Sequence, residues 1–254
     1  MNSSLRLLAC TAAASVILTF GPAGQAATLT WSGADSATTT NWSDGLNWFG
    51  NAAPAASDTA VFSTNGMSLD SASIDNIVTA NTTVAALVYA PTNGFRNTRI
   101  IPGVTLTVSN TTVTSSLLSG TQTDAGGDTT VYNTVTGPGA ALVINSTNIG
   151  SAILVQQSSG TAGAHRSTVD LSGLDSFNAT VGRILIAVQG PLNPAAGQVP
   201  IPNTVRPAGT LLLAKTNIIR TTQTGLILGG QDGGNGAGQG GAASISGPAI
   251  MLGD

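Results

Sequence analysis

The chain of 254 residues carries 8 basic and 11 acidic side chains, a net charge of −3, and charged residues make up only 7% of it. An average soluble domain is about one quarter charged, so a disordered polyelectrolyte is excluded, and without any basic cluster nucleic acid is not an expected partner. Glu is absent and Lys215, His165 and Cys10 are the single residues of their kinds, whereas 32 Gly and many Thr, Ser, Asn and Val favour strands and turns over helices.

Residues 1–26 read as a secretory signal peptide, with Arg6 in the basic n-region, Leu7 to Phe20 as apolar core and Gly24-Gln25-Ala26 as small-residue exit. That core, about 14 residues, falls short of the roughly 20 that span a bilayer. Leu7-Leu8-Ala9-Cys10 resembles a lipoprotein acylation box, but the apolar core runs on beyond Cys10, so lipidation is not expected. Cleavage after Ala26 removes Cys10 and Arg6, which takes the net charge from −3 to −4 and leaves no thiol for a disulfide or for catalysis. No later segment is apolar enough for long enough to span a membrane. The expected location is extracellular or on the outer cell surface.

Residues 27–73 differ in texture from the rest. They hold Trp31, Trp42 and Trp48, with Phe49 and Phe62, and read as a strand (Thr28–Trp31), a polar loop, a turn at Pro54 and a second strand (Thr59–Phe62). Two readings of the tryptophans stand open. They cover the first unit of a repeat array, whose open end needs an atypical cap, or they stack on sugar rings from a binding loop.

From Ile74 to Asp254 the chain reads as repeating coils. Thr105-Leu-Thr-Val, Ala141-Leu-Val-Ile, Thr168-Val-Asp-Leu and Thr210-Leu-Leu-Leu align, each followed by a polar corner that ends in Thr112, Asn148, Asp175 or Asn217. Alternation along each strand puts Leu106, Leu142, Val169 and Leu211 inside, together with Val108, Ile144, Leu171 and Leu213, and turns Thr107, Val143, Asp170 and Leu212 outward. Loops over 119–139, 156–167, 187–209 and 229–242 absorb the irregular spacing. Stacked equivalent strands pair in parallel, so the expected fold is all-β, a right-handed parallel β-helix or β-solenoid with an aromatic N-terminal cap; a β-sandwich is the alternative. Near the end, Ala249-Ile-Met-Leu-Gly echoes Leu226-Ile-Leu-Gly-Gly, and the run stops at Asp254 without a polar cap, which reads as an incomplete solenoid from a longer protein.

The opening Thr30-Trp-Ser-Gly, Asn41-Trp-Ser-Asp-Gly-Leu-Asn-Trp and Pro54-Ala-Ala-Ser-Asp-Thr-Ala-Val-Phe, followed by Val78-Thr-Ala-Asn-Thr-Thr-Val, Val169-Asp-Leu-Ser-Gly-Leu-Asp and Gly209-Thr-Leu-Leu-Leu-Ala-Lys-Thr-Asn, resembles large exported bacterial β-helix proteins with autotransporter-associated β-strand repeats. That resemblance implies a cell-surface, adhesive or polysaccharide-related role, with surface polysaccharide or other cells as partners. The chain departs from it in lacking any visible translocation barrel or sorting tail.

The inventory for chemistry is thin. Glycosidases pair two carboxylates, and without Glu only aspartates serve; Asp170 and Asp175 flank one corner, where a solvated strand residue and a turn former are the expected roles. His165-Arg166 sits in a Gly/Ser stretch and reads as an exposed loop. Lys215, with Arg183 and Arg220 along one face, is the sole lyase-like hint. Gly229-Gly-Gln-Asp-Gly-Gly-Asn-Gly has one Asp where a calcium roll needs repeated acids, zinc lacks ligands, and no phosphate loop is present. No catalytic, metal or cofactor site is therefore expected. Trp31, Trp42, Trp48 and Lys215 remain as candidate carbohydrate contacts. The reading is an exported structural or adhesive rod without catalytic activity, and the alternative is a carbohydrate-active or carbohydrate-binding β-helix of polysaccharide-lyase type.

Overall fold

The computed structural model describes residues 26–68, 70–110, 115–122, 129–146, 152–158, 163–189, 205–231 and 250–251. Residues 1–25 of the expected signal peptide, the glycine-rich run after Gln231 and the corner residues Thr112 and Asn148 lie outside them.

Two strands, β1 (Thr28–Thr30) and β2 (Thr59–Phe62), open the fold around a short 3-10 turn, η1 (Gly45–Asn47). The first coil is β3 (Asn76–Val78), β4 (Thr82–Val84) and β5 (Ala86–Tyr89); the second is β6 (Gly94–Ile100), β7 (Thr105–Asn110) and β8 (Ser115–Gln122). In the later coils the middle strand fuses with a neighbour, giving β9 (Thr129–Ser146) with β10 (Ala152–Ser158), β11 (Gly163–Asp170) with β12 (Leu174–Gln189), and β13 (Val205–Leu212) with β14 (Thr216–Gln231). Finally, β15 (Ile250–Met251) pairs with β13.

Strand pairing resolves this sequence into three ladders. The first stacks β3, β6, the start of β9, β11, β13 and β15. The second stacks β4, β7, the end of β9 and the starts of β12 and β14. The third stacks β1, β2, β5, β8, β10 and the ends of β12 and β14. All of these strand pairs are parallel, and the one antiparallel contact among the described residues is the isolated bridge Trp31–Trp48. The fold is thus a parallel β-solenoid, and a sandwich of antiparallel sheets is ruled out.

One apolar row from each ladder fills the interior. Val169 and Leu211 come from the first, Leu106, Leu142 and Phe177 from the second, and Leu87, Leu117, Ile153 and Ile184 from the third, all within a single buried cluster. Each such side chain contributes about 1.5–3 kcal/mol on burial. The third ladder is also covered on its outer side, where Leu118, Leu154 and Leu185 are buried with Val88 against them. Burial on both sides explains the unbroken apolar runs Ile153-Leu154-Val155 and Ile184-Leu185-Ile186.

Two devices turn the chain. Between the first and second ladders small residues let coils approach: a Cβ on Gly137 would lie 2.1 Å from the Ile100 carbonyl oxygen. Asn217 closes the last of these corners by accepting from the Ala214 N–H (3.0 Å) and donating to the Ala214 carbonyl. In the third ladder Gly120, Gln156 and Ala187 follow the aligned residues Ser119, Val155 and Ile186, and all three take positive φ (70°, 58° and 56°). A left-handed residue therefore bends the chain at the same level of three successive coils. Glycine meets that demand freely only in the first.

Several expectations are corrected by the register. Ala141 stacks between Thr105 and Ser176, and Thr168 between Tyr132 and Thr210. The four aligned segments are two pairs on two different ladders, because inward-outward alternation looks the same on both. The expected loops contain strand: β9 starts at Thr129, β11 at Gly163 and β13 at Val205. Ile250 pairs with Leu211 on the first ladder, whereas the Leu226 segment it echoes runs in the third.

Candidate functional site

The tryptophans pack as a plug. Trp31 and Trp42 each meet Trp48 edge-to-face (5.2 and 5.6 Å between ring centroids), and all three surround Phe62, which stacks on Tyr89 at 5.5 Å. The indole nitrogens of Trp42 and Trp48 donate to Asn76 Oδ1 (2.7 Å) and to the Trp42 carbonyl (2.9 Å). With exposures of 0%, 2% and 1%, Trp31, Trp42 and Trp48 offer no ring face to a sugar. Their sugar-stacking reading is therefore withdrawn, because closing the end of an apolar core consumes the rings. An open cleft of about 360 Å³ adjoins the edge of Trp42, lined by Pro54, Asn81 and Thr82 among others.

A buried arginine anchors the cap to the second coil. Arg96 donates to the carbonyl oxygens of Ser63, Asn65 (2.7 Å) and Gly66 (2.7 Å), lies 4.0 Å from Asp75 and sits over the Phe62 ring at 5.6 Å. Asp75 accepts from the backbone N–H groups of Ser68 (2.6 Å) and Asn97 (2.7 Å). Burial pulls the Arg96 pKa down, and Asp75 and Tyr89 oppose it. Burial also pushes the Tyr89 phenol up, so it stays neutral beside Thr98 (3.1 Å). This network ties loop to strand; the Arg96 charge is spent on carbonyls and one carboxylate.

The expected chemical residues are likewise engaged. Lys215 is half exposed, and its Nζ donates to Asp175 Oδ1 at 3.0 Å. The Asp175 carboxyl is held below its usual range by that ammonium and by the Gly139 N–H (2.8 Å). Asp170 accepts from the Ser172 N–H (2.9 Å) and hydroxyl (2.6 Å), a turn-forming role. Arg220 lies on the second ladder and Arg183 on the third, so they do not line one face with Lys215. His165 is fully buried on β11 with Nδ1 3.1 Å from Thr129 Oγ1, which corrects its reading as an exposed loop residue. Among the described residues no group of three or more His, Cys, Asp or Glu is placed to hold a metal ion, and no helix is long and apolar enough to cross a membrane.

The outer surface of the first ladder has a different character. Register places Phe95, Tyr132, Thr168 and Thr210 in one column across four coils. Phe95 and Tyr132 stack with centroids 5.2 Å apart and planes 17° from parallel, and Tyr132 is 42% exposed. Arg166, in the neighbouring column, is exposed, and Arg99 is exposed on β6. Sequence reasoning missed this pair, since Phe95 and Tyr132 are 37 residues apart and neither belongs to a motif; only a correct register would have joined them.

No protein-family model matches the chain, and neither do the curated proteins or the solved structures with which it was compared. The reading of function therefore rests on the solenoid and its surface.

Proposed function

We propose that the protein is an exported structural or adhesive element of a cell surface, a stiff β-solenoid that acts by shape and by its outer faces rather than by catalysis. The observation that carries this reading is the three-ladder stack with its plugged end. Backbone pairing runs through successive coils, apolar rows fill the interior, and three tryptophans with Phe62 close the N-terminal end. Such a rod keeps its outer side chains at fixed spacings, about 4.8 Å between coils, which suits repeated weak contacts with an extended partner. The outward column of the second ladder mixes Thr83, Thr107 and Asn178 with Val143 and the exposed Ile218, which favours contact over a broad surface. The expected partners are surface polysaccharide or other cells. Beads coated with the purified protein should attach to cells or to extracted surface polysaccharide well above albumin-coated beads. Attachment to neither would sink the reading.

A further inference from the structure

The column Phe95–Tyr132–Thr168–Thr210 runs from two large side chains to two small ones across consecutive strands. Phe95 covers one face of the Tyr132 ring, and on the other side the ladder drops to threonines. The result is a step. Its riser is the free face of Tyr132 and its tread carries the Thr168 and Thr210 hydroxyls, with strands about 4.8 Å apart. Arg166 stands beside the tread, one strand beyond Tyr132 and two residues before Thr168, a backbone separation of about 8 Å from Tyr132. It is exposed, and no ion pair engages it or Arg99 among the described residues.

We infer that this step binds an acidic polysaccharide through its uronate-type sugars. The apolar C–H face of a pyranose ring stacks on Tyr132, as an aromatic with one free face allows. The threonines exchange hydrogen bonds with ring hydroxyls. The Arg166 guanidinium takes the sugar carboxylate in a charge-assisted, two-pronged contact that a neutral glycan cannot make. Charge decides the ligand class: among the described residues this face turns Arg99 and Arg166 outward with no ion pair, against one carboxylate, Asp170, whose Oδ1 already accepts two hydrogen bonds from Ser172. Arg99 extends the positive potential along the first ladder, so binding spans more than one sugar. The assignment deepens the adhesive reading and rests on it for the partner class.

The test is affinity electrophoresis of the purified full chain through gels containing polygalacturonate, alginate or neutral dextran, with bead attachment run alongside. Retardation is expected in the two acidic gels, absent in dextran and weakened by salt. Tyr132→Ala and Arg166→Gln should each weaken retardation about tenfold, while Arg220→Gln on the second ladder leaves it unchanged. Equal circular dichroism of the variants establishes that the fold is intact. Absence of retardation in both acidic gels overturns the inference, as does retardation that survives both substitutions. If beads still attach to cells in that event, the adhesive reading stands without this ligand; if they do not, both fail.

Discussion

The N-terminal cap and the coil stack are held by different forces. In the cap, segments far apart in sequence meet through side chains: Arg96 reaches three carbonyls 30 to 33 residues away, and Trp42 bonds Asn76 across 34. In the stack, backbone ladders carry the connection and side chains repeat beneath them, as in the row Leu106–Leu142–Phe177. The difference follows from where periodicity stops. A coil in mid-stack finds its polar backbone groups and its packing surface supplied by neighbours of the same shape. On the cap side only β5 of the first coil has a ladder neighbour among the described strands, β2, so the cap supplies irregular partners for the rest one by one. Buried groups such as Trp42 Nε1 and the Arg96 guanidinium nitrogens Nη1 and Nη2 are bonded to particular partners, while Trp31 Nε1, Asn76 Nδ2 and Arg96 Nε find none among the described residues, and single substitutions should be felt more sharply.

All three tryptophans lie in the cap, so their fluorescence reports on it, while far-ultraviolet circular dichroism reports mainly on the stack. The contrast is tested most severely by Phe62→Ala, which removes the ring at the centre of the aromatic plug. A loss of about 4 kcal/mol is expected, with the fluorescence transition in urea moving to lower denaturant ahead of the dichroism transition. Coincident shifts of equal size would show that cap and stack melt as one unit. Next comes Arg96→Met, which leaves Asp75 buried without its cation and three carbonyls without their donor. About 3 kcal/mol should be lost, again seen first by fluorescence; a gain in stability would mean that the ion pair is only a cost. In the stack, Gly120→Ala places a Cβ 2.5 Å from Gln156 Oε1 and 2.7 Å from Ser167 Cβ at φ +70°. About 2 to 3 kcal/mol is expected here, read by dichroism. Gly103→Ala, at φ +77° but with open space around it, should cost only about 1 kcal/mol. The gap between those two glycines separates packing from backbone strain.

The smallest effect concerns Asp175. Its folded pKa lies below that of an unfolded aspartate, so its contribution is complete above the unfolded value and is lost as pH falls through the lower folded value. Side-chain NMR should find Asp175 titrating below an ordinary aspartate, and Lys215→Met should return it most of the way. Because both partners are about half exposed, added salt should shrink the shift. An unchanged titration in the Lys215 variant would assign the whole effect to the Gly139 N–H.

Much of the fold was legible in residues. Alternation in Thr105-Leu-Thr-Val and Ala141-Leu-Val-Ile placed Leu106, Val108, Leu142 and Ile144 inside, and each is buried. The bend at Gln156 and Ala187 was not legible, since neither residue favours positive φ; the stacked strands impose it. His165 was misread because its Gly/Ser surroundings look like a loop, although β11 begins at Gly163 and turns it inward. Of the candidate contacts, the sequence pointed to aromatic residues that the fold buries. Trp31, Trp42 and Trp48 are conspicuous and buried, and the exposed Phe95–Tyr132 pair carries no local signal.

By itself, then, the sequence determined the class of fold: alternating apolar residues, polar corners and a clustered set of tryptophans specify stacked strands with a closed end. Tertiary structure decided which ladder each segment joins, and with it which side chains share a surface. The physical reason is range. Alternation is a property of one strand and is written within a few residues, whereas ladder assignment depends on hydrogen-bond register between strands such as Thr105 and Ala141 or Thr168 and Thr210. The segments that begin at Ala141 and Thr168 carry the same local pattern on different ladders, and only the path of the chain around each coil tells them apart.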